Sequence, residues 1–229
     1  RAVLSRELSR DQIRYICQNS PIEIETFAHG ALCMCYSGQC YLSSIIGGRS
    51  GNRGLCAQPC RLKYGWGNRA NEYPLSLKDM SLAEYLQELE EMGVCCLKIE
   101  GRMKRPEYVA IVTGIYARAI REGRSPTPEE LEQLEAVFSR QGFTQGYYLD
   151  RKGKDMFGVR QEGEPPRELY AQARTTYESG ENRKELIRMF AMIRTGEPAQ
   201  VAAQDLLGNV ARVEGPVPEA AVNVPLTAE

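Results

Sequence analysis

The chain has 229 residues, 42% hydrophobic and 26% charged, with a formal net charge of −1. That balance excludes a disordered chain and global supercharging, and its length suits one large domain or a medium domain with a small companion. No apolar run approaches the roughly 18 residues of a membrane-spanning helix, and a single histidine among eight cysteines excludes any zinc site built on two or more histidines.

The sequence begins without Met or a signal-peptide pattern, directly in Ala2-Val3-Leu4, and stops just after Pro225-Leu226-Thr227. We read it as a piece of a longer protein. Cysteines in uneven clusters, with no secretory signal, suit a reducing, cytoplasmic compartment and metal binding better than a disulfide scaffold.

Ala2–Leu4 reads as a strand. Ser9 and Gln12 have capping-box spacing, which predicts a helix to about Asn19. Ile22–Phe27 alternates as a second strand. Residues 29–72 are rich in Gly and Cys and lack clear periodicity. Tyr73–Leu77 is a third strand candidate, Ser81 and Glu84 predict a helix that Gly93 ends, and Val94–Ile99 is a fourth strand. Pro106 opens a helix with Val109, Val112, Tyr116, Ala119 and Ile120 on one face, and Thr127 opens another to about Arg140. The strand–helix alternation predicts parallel βαβ units, hence an α/β fold: the C-terminal half of a (β/α)8 TIM-type barrel over residues 1–140. A small open α/β sheet is the alternative. Residues 141–165 read as a connector, and residues 166–229 as a small β-rich C-terminal domain, with strands at Ala199–Ala203 and Val210–Val213 around a Leu207-Gly208-Asn209 turn and a further apolar stretch at Leu186–Ile193.

Cys33, Cys40, Cys56 and Cys60 follow a C-x6-C-x15-C-x3-C spacing among glycines. Four thiolates on one metal would give this segment the core it lacks, and glycine lets backbone amides approach thiolate sulfurs. The spacing matches neither a zinc ribbon nor a ferredoxin, so it leaves the metal open, and four buried free thiols are the plain alternative. Cys95 or Cys96 could replace Cys60 as fourth ligand. Between Gly30 and Asn71 there is no acidic residue, while Arg49, Arg53, Arg61, Lys63 and Arg69 are interleaved with Tyr41, Tyr64 and Trp66. Arginine with aromatics suits phosphate binding and base stacking.

In parallel barrels the chemistry sits where strands end. Here those ends carry Arg6, Glu7, Glu25, His29, Lys98 and Glu100. Alternation puts Lys98 and Glu100 on one side, so Glu100, Lys98, Glu25 and His29 are the acid–base candidates, against a structural ion-pair layer as the alternative.

Several blocks carry a resemblance. Glu25-Thr26-Phe27-Ala28-His29-Gly30-Ala31-Leu32-Cys33 with Ser37-Gly38-Gln39-Cys40, Gly48 to Arg61, Leu97-Lys98-Ile99-Glu100-Gly101-Arg102-Met103-Lys104, and Gly142-Phe143-Thr144-Gln145-Gly146-Tyr147 resemble peptidase family U32. The tail, with Asp205 to Asn209 and Pro225-Leu226-Thr227, resembles the accessory domain of longer members. The resemblance implies a (β/α)8 barrel whose N-terminal half is absent here, and a 4Fe–4S cluster on Cys33, Cys40, Cys56 and Cys60. It implies RNA hydroxylation at C5 of a pyrimidine in tRNA or rRNA, with prephenate needed in some cases. Collagenase-like proteolysis and oxygen-independent small-molecule hydroxylation are the alternatives.

Overall fold

A computed structural model describes residues 1–160, 163, 166–178 and 187–220, apart from the side chains of residues 66 and 69–71. Pro225-Leu226-Thr227 and the start of the Leu186–Ile193 stretch lie outside the described residues. The chain divides into two compact units, Arg1–Thr176 and Tyr177–Glu229. Among the described residues, no helix is long and apolar enough to cross a membrane.

In the first unit, β1 (Ala2–Val3) leads to α1 (Arg10–Asn19), whose Ser9 N-cap and Gln12 form the expected capping box. The central strand, β2, runs over Ile24–Ala31, four residues past the predicted end. The cysteine segment is not a bare loop. It holds α2 (Leu42–Gly47), two 3-10 turns (Gly51–Arg53 and Pro59–Arg61) and a hairpin of β3 (Tyr64–Trp66) with β4 (Arg69–Glu72). Strand β5 (Asp79–Ser81) precedes α3 (Leu86–Glu91) and β6 (Cys96–Ile99). Then come α4 (Pro106–Glu122), α5 (Pro128–Val137, with a Thr127–Glu130 capping box), β7 (Phe143–Thr144) and α6 (Arg167–Glu178).

The sheet is mixed, which corrects the all-parallel expectation. Both β1 and β6 run parallel to β2, as sequential βαβ returns require, but β5 pairs antiparallel with the far end of β2 and parallel with β7. The predicted third strand at Tyr73–Leu77 is displaced to Asp79–Ser81, all three residues of which are buried. Polar residues such as Asp79 and Ser81 do not read as a strand in sequence. They are tolerated because Arg140 pairs with Asp79, and the Ser81 hydroxyl lies 3.4 Å from the Tyr116 hydroxyl. That commitment also removes Ser81 from the predicted helix cap, so α3 enters through a 3-10 turn, Ala83–Tyr85, with no side-chain cap. Gly93 ends the helix as expected, at φ +94°.

The core lies between the sheet and α4. Tyr108, Ile111, Val112, Ile115, Tyr116 and Ala119 form its helical stripe, while Val109 and Ile120 are 45% and 48% exposed. The apolar face is therefore rotated from the predicted one, with Val112, Tyr116 and Ala119 common to both. The 141–165 stretch is part of this body: Tyr148 and Met156 are buried in a second core cluster. Helix α6, absent from the sequence reading, packs Tyr170 and Ala173 into the first cluster.

The second unit contains the antiparallel sheet β8 (Arg188–Met192), β9 (Gln200–Gln204) and β10 (Val210–Glu214), in the order β10-β9-β8. The two predicted strands are β9 and β10. The third comes from the apolar stretch that the sequence reading left unassigned.

One glycine fixes the local geometry of the site. Gly30 adopts φ +115°, and a Cβ there would lie 2.5 Å from the Glu100 carbonyl oxygen. Gly30→Ala is therefore expected to cost about 2–3 kcal/mol from strain and backbone collision, measured by urea unfolding. An unchanged midpoint would refute the close approach.

Candidate functional site

Strands β2 and β6 pair from Glu25↔Cys96 to His29↔Ile99, with a register shift between Phe27 and His29. The chain then continues from β2 into Leu32 and Cys33, and from β6 into Glu100 and the Gly101–Arg105 turn. Both continuations border one cavity of about 910 Å³, whose lining includes Cys33, Cys56, Cys60, Glu100 and Tyr108.

The thiol segment is held to this cavity by its own polar contacts. Glu7 accepts hydrogen bonds from the amide and hydroxyl of Ser37 at 3.0 and 2.9 Å. Asn52 donates to the Gly38 carbonyl, and buried Ser43 accepts from the Ala57 amide. The Gln58 amide donates to the Cys56 sulfur at 3.3 Å. Cys33 and Cys60 are half-buried, and burial pushes both thiols above their ordinary value. Cys33 is pushed further by Cys60 and Cys40, and Cys60 by Cys56 and Cys40, while Arg6 and Arg61 respectively oppose the rise. The four cysteines thus form one electrostatic neighbourhood. Among the described residues, no three His, Cys, Asp or Glu side chains are grouped closely enough to hold a metal as they stand. The donor chemistry fits a four-thiolate centre, and closing it requires the thiols to draw together.

Cys95 and Cys96 are elsewhere. Cys96 pairs with Glu25 at the start of the β2–β6 ladder. The cavity lies beyond the other end of an eight-residue strand, roughly 20 Å away at the rise of an extended chain. That separates them from Cys33 and makes Cys60 the better-placed fourth thiol.

The predicted acid–base residues fall into two layers and a core position. On one face, Glu25 accepts from Lys98 at 3.3 Å and lies 3.8 Å from Arg1. Nearer the cavity, Arg6 donates to Glu100 at 2.9 Å and stacks over Phe27 at 3.8 Å. Phe27 thus separates the Glu25–Lys98 pair from Glu100, and only Glu100 lines the cavity. His29 is not with them. The register shift turns it into the core, where it is 1% exposed among Tyr108, Tyr116 and Phe143. The Tyr116 hydroxyl donates to the Ala28 carbonyl, so it accepts from His29 Nδ1 at 3.1 Å, leaving Nε2 buried without a partner. Burial, reinforced by Lys104, pushes His29 down to about 3. It is a neutral structural imidazole.

The cationic residues also divide. Arg49, Arg53 and Lys63 are exposed, whereas Arg61 is tied to the Leu32 carbonyl at 2.6 Å, to the Leu77 carbonyl and to Ser76. Arg61 is a structural strut in the cavity wall. The side chains of Arg69 and Trp66 lie outside the description.

Sequence reasoning missed the cavity's largest positive contribution. Besides Arg6 and Arg61, its lining includes Arg102, Lys104 and Arg105 from the turn after β6, and Arg140 and Arg160 from the chain after α5. Burial pushes Lys104 down to about 7; Arg140, Arg160 and Arg61 lower it further against the opposing effect of Asp79. The run Arg102-Met103-Lys104-Arg105 was visible, but the cations it meets are distant in sequence.

Two outcomes follow. His29 carries its proton in the unfolded chain below about pH 6.5, and in the folded chain only near 3. Stability is therefore lost as pH falls through that window. The His29 ring resonances should show no titration from about pH 5 to 8; a midpoint near 6.5 would contradict its burial. Lys104 should be acetylated by acetic anhydride near neutral pH ahead of Lys152, whose bond to Asp150 raises its pKa. Peptide mapping with Lys152 labelled first would contradict the depressed amine.

Comparison with known proteins places the site in context. Peptidase family U32 matches residues 1–157. The chain is 40% identical over 175 residues to "Collagenase" of Porphyromonas gingivalis W83, covering 66% of this chain and 42% of that protein. It is 42% identical over 132 residues to "tRNA hydroxylation protein P1" of Bacillus subtilis, covering 52% of this chain and 31% of that protein. It is 46% identical over 124 residues to "23S rRNA 5-hydroxycytidine C2501 synthase" of Escherichia coli, covering 52% of this chain and 19% of that protein. The chain thus spans less than half the length of these curated relatives, and no solved structure matches it. With the family pattern matching residues 1–157, the chain belongs to peptidase family U32.

Proposed function

We propose that the protein is an iron–sulfur-dependent RNA-modifying enzyme that hydroxylates C5 of a pyrimidine in tRNA or rRNA in the cytoplasm. The observation that carries this reading is the meeting of the four-cysteine segment with a positively charged cavity at the β2 and β6 strand ends. Two of the relatives compared above are named for RNA hydroxylation, which supports the substrate class. We read the framework as part of a (β/α)8 barrel. The consecutive parallel neighbours β1, β2 and β6 support this, as does an inner face carrying Arg6, Phe27, Lys98 and Glu100.

Cys33, Cys40, Cys56 and Cys60 would hold a 4Fe–4S cluster, which supplies electron transfer when bound. The protein's own residues do the rest. Exposed Arg49, Arg53 and Lys63 neutralise backbone phosphates, and exposed Tyr41 offers a stacking face to an unpaired base. The target pyrimidine leaves its stack to reach the cavity. Glu100 is the acid–base group there. One of its oxygens is held by the Arg102 amide at 3.0 Å and the other by Arg6, so its carboxylate is oriented toward the cavity rim. Lys98 and Glu25 neutralise each other one layer away and maintain the strand pairing.

A peptidase using His29 as base is disfavoured by that ring's burial and its depressed basicity. The full-length protein purified without oxygen should be brown, with about four irons and four labile sulfides. Cys33→Ala and Cys56→Ala should each lose most of that iron. RNA from a deletion strain, digested to nucleosides and weighed, should lack one hydroxylated pyrimidine, which the parent gene restores and the cysteine variants do not. Identical nucleoside profiles with and without the gene would sink the proposal. Gelatin cleavage that disappears in Cys33→Ala would replace it with proteolysis.

A further inference from the structure

Two exposed residues of the cavity lining are held in the left-handed backbone region. In the turn after Glu100, the Lys104 amide donates to the Gly101 carbonyl at 3.0 Å. Met103 is the third residue of that turn and adopts φ +59°, a conformation that favours Gly or Asn because a Cβ crowds the backbone there. Its side chain is 81% exposed, so burial does not offset the strain. Gln58, on the thiol segment, adopts φ +55° and ψ 44° immediately before Pro59, where the proline ring pushes the preceding residue toward extended backbone instead. The Gln58 side chain is exposed and makes no capping bond to the 3-10 turn it precedes.

These two side chains meet. Gln58 Nε2 lies 3.8 Å from the Met103 thioether sulfur, and both residues line the cavity with Cys56 and Glu100. Among the described residues, neither side chain has another hydrogen-bond partner. A thioether is a weak acceptor, so the Gln58 carboxamide keeps its oxygen and most of its donor capacity for something else. The pair joins the two segments that carry the chemistry: the Gln58 amide donates to the Cys56 sulfur, and the Arg102 amide, one residue before Met103, donates to the Glu100 carboxylate. Strain at facing, exposed positions is characteristic of a ligand clamp. Glycine would hold either backbone conformation with less strain, so what Met103 and Gln58 add is their side chains.

We propose that Met103 and Gln58 clamp the base that enters the cavity, with the Met103 thioether packed on the face of the ring and the Gln58 carboxamide paired with its edge. Cytosine and uracil each present a hydrogen-bond donor beside an acceptor. A carboxamide offers one of each and, turned over, matches either order. The thioether is polarizable and favours contact with aromatic rings. An exposed apolar side chain in a fixed turn is also suited to displacing a base from its stack. The inference rests on the reading of the protein as an RNA-modifying enzyme and names the residues that touch its base.

Photo-cross-linking tests the contact without requiring turnover. The full-length protein, irradiated with a single-stranded RNA oligomer carrying 5-bromouridine, should be cross-linked at Met103 or in the peptide containing Gln58. Met103→Gly should lower that yield about tenfold, the loss of one base contact. The same variant should unfold at no lower a urea concentration than the parent, because glycine relieves the left-handed conformation. A purely structural Met103 would instead lose stability and leave the cross-link to the Gln58 peptide unchanged. In the deletion strain, Met103→Gly and Gln58→Glu should restore the hydroxylated pyrimidine about tenfold less well than the parent gene, and Met103→Leu should recover most of the difference. Cross-links confined to other segments, or Met103→Gly and Gln58→Glu variants that match the parent in both assays, would overturn the clamp. A parent gene that restores no nucleoside, while the oligomer still cross-links at Met103, would overturn the hydroxylase reading and leave the base contact standing.

Discussion

Gly30 stands where β2 leaves the sheet, against the backbone of Glu100 where β6 does the same. Its missing side chain is the constraint from which the rest of the site follows. Any Cβ would lie 2.5 Å from the Glu100 carbonyl oxygen, and the backbone conformation at φ +115° is one that L side chains rarely adopt. Because the two chains can touch here, the segment carrying the thiols and the turn carrying Arg102, Lys104 and Arg105 border the same space. The Tyr108 hydroxyl, donating to the Glu100 carbonyl at 3.3 Å, ties this junction to the first turns of α4.

The two sides of the junction have opposite electrostatic needs. On one side, burial disfavours the charged forms of Cys33 and Cys60. On the other, the lining includes Arg102, Lys104, Arg105 and Arg160, with which no carboxylate among the described residues forms an ion pair. A positive surrounding of this kind favours the thiolate form of nearby cysteines. Backbone strain beside perturbed ionisable groups is characteristic of functional sites.

The layer of side chains around Phe27 has a different character. Arg1, Glu25 and Lys98 neutralise one another, and Arg6 shields Glu100 while stacking on Phe27. His29 is excluded from both layers by the register shift in β2, and its neutral ring packs against three aromatic side chains. A strand end rich in ionisable residues therefore divides into a paired structural layer, a core imidazole and one carboxylate that reaches the cavity.

Much of this was legible in the sequence because it depends on local rules. The Ser9 and Thr127 capping boxes, the Gly93 helix end, the β2 and β6 strands, the gathering of Cys33, Cys40, Cys56 and Cys60 on one segment, and the common face of Lys98 and Glu100 all follow from spacing over a few residues. What the tertiary structure decided involves partners far apart in the chain. Asp79–Ser81 is tolerated as a strand because Arg140 pairs with one Asp79 carboxylate oxygen and the Tyr116 hydroxyl faces that of Ser81. Arg61 became a strut because Leu32 and Leu77 bring their carbonyls to it. His29 turned inward because of a bulge that no alternation pattern announces. The cationic cavity exists only where the turn after β6, the thiol segment and the chain after α5 converge. Local pattern fixes which residues can form an element; long-range satisfaction of buried charge fixes what each of them is for.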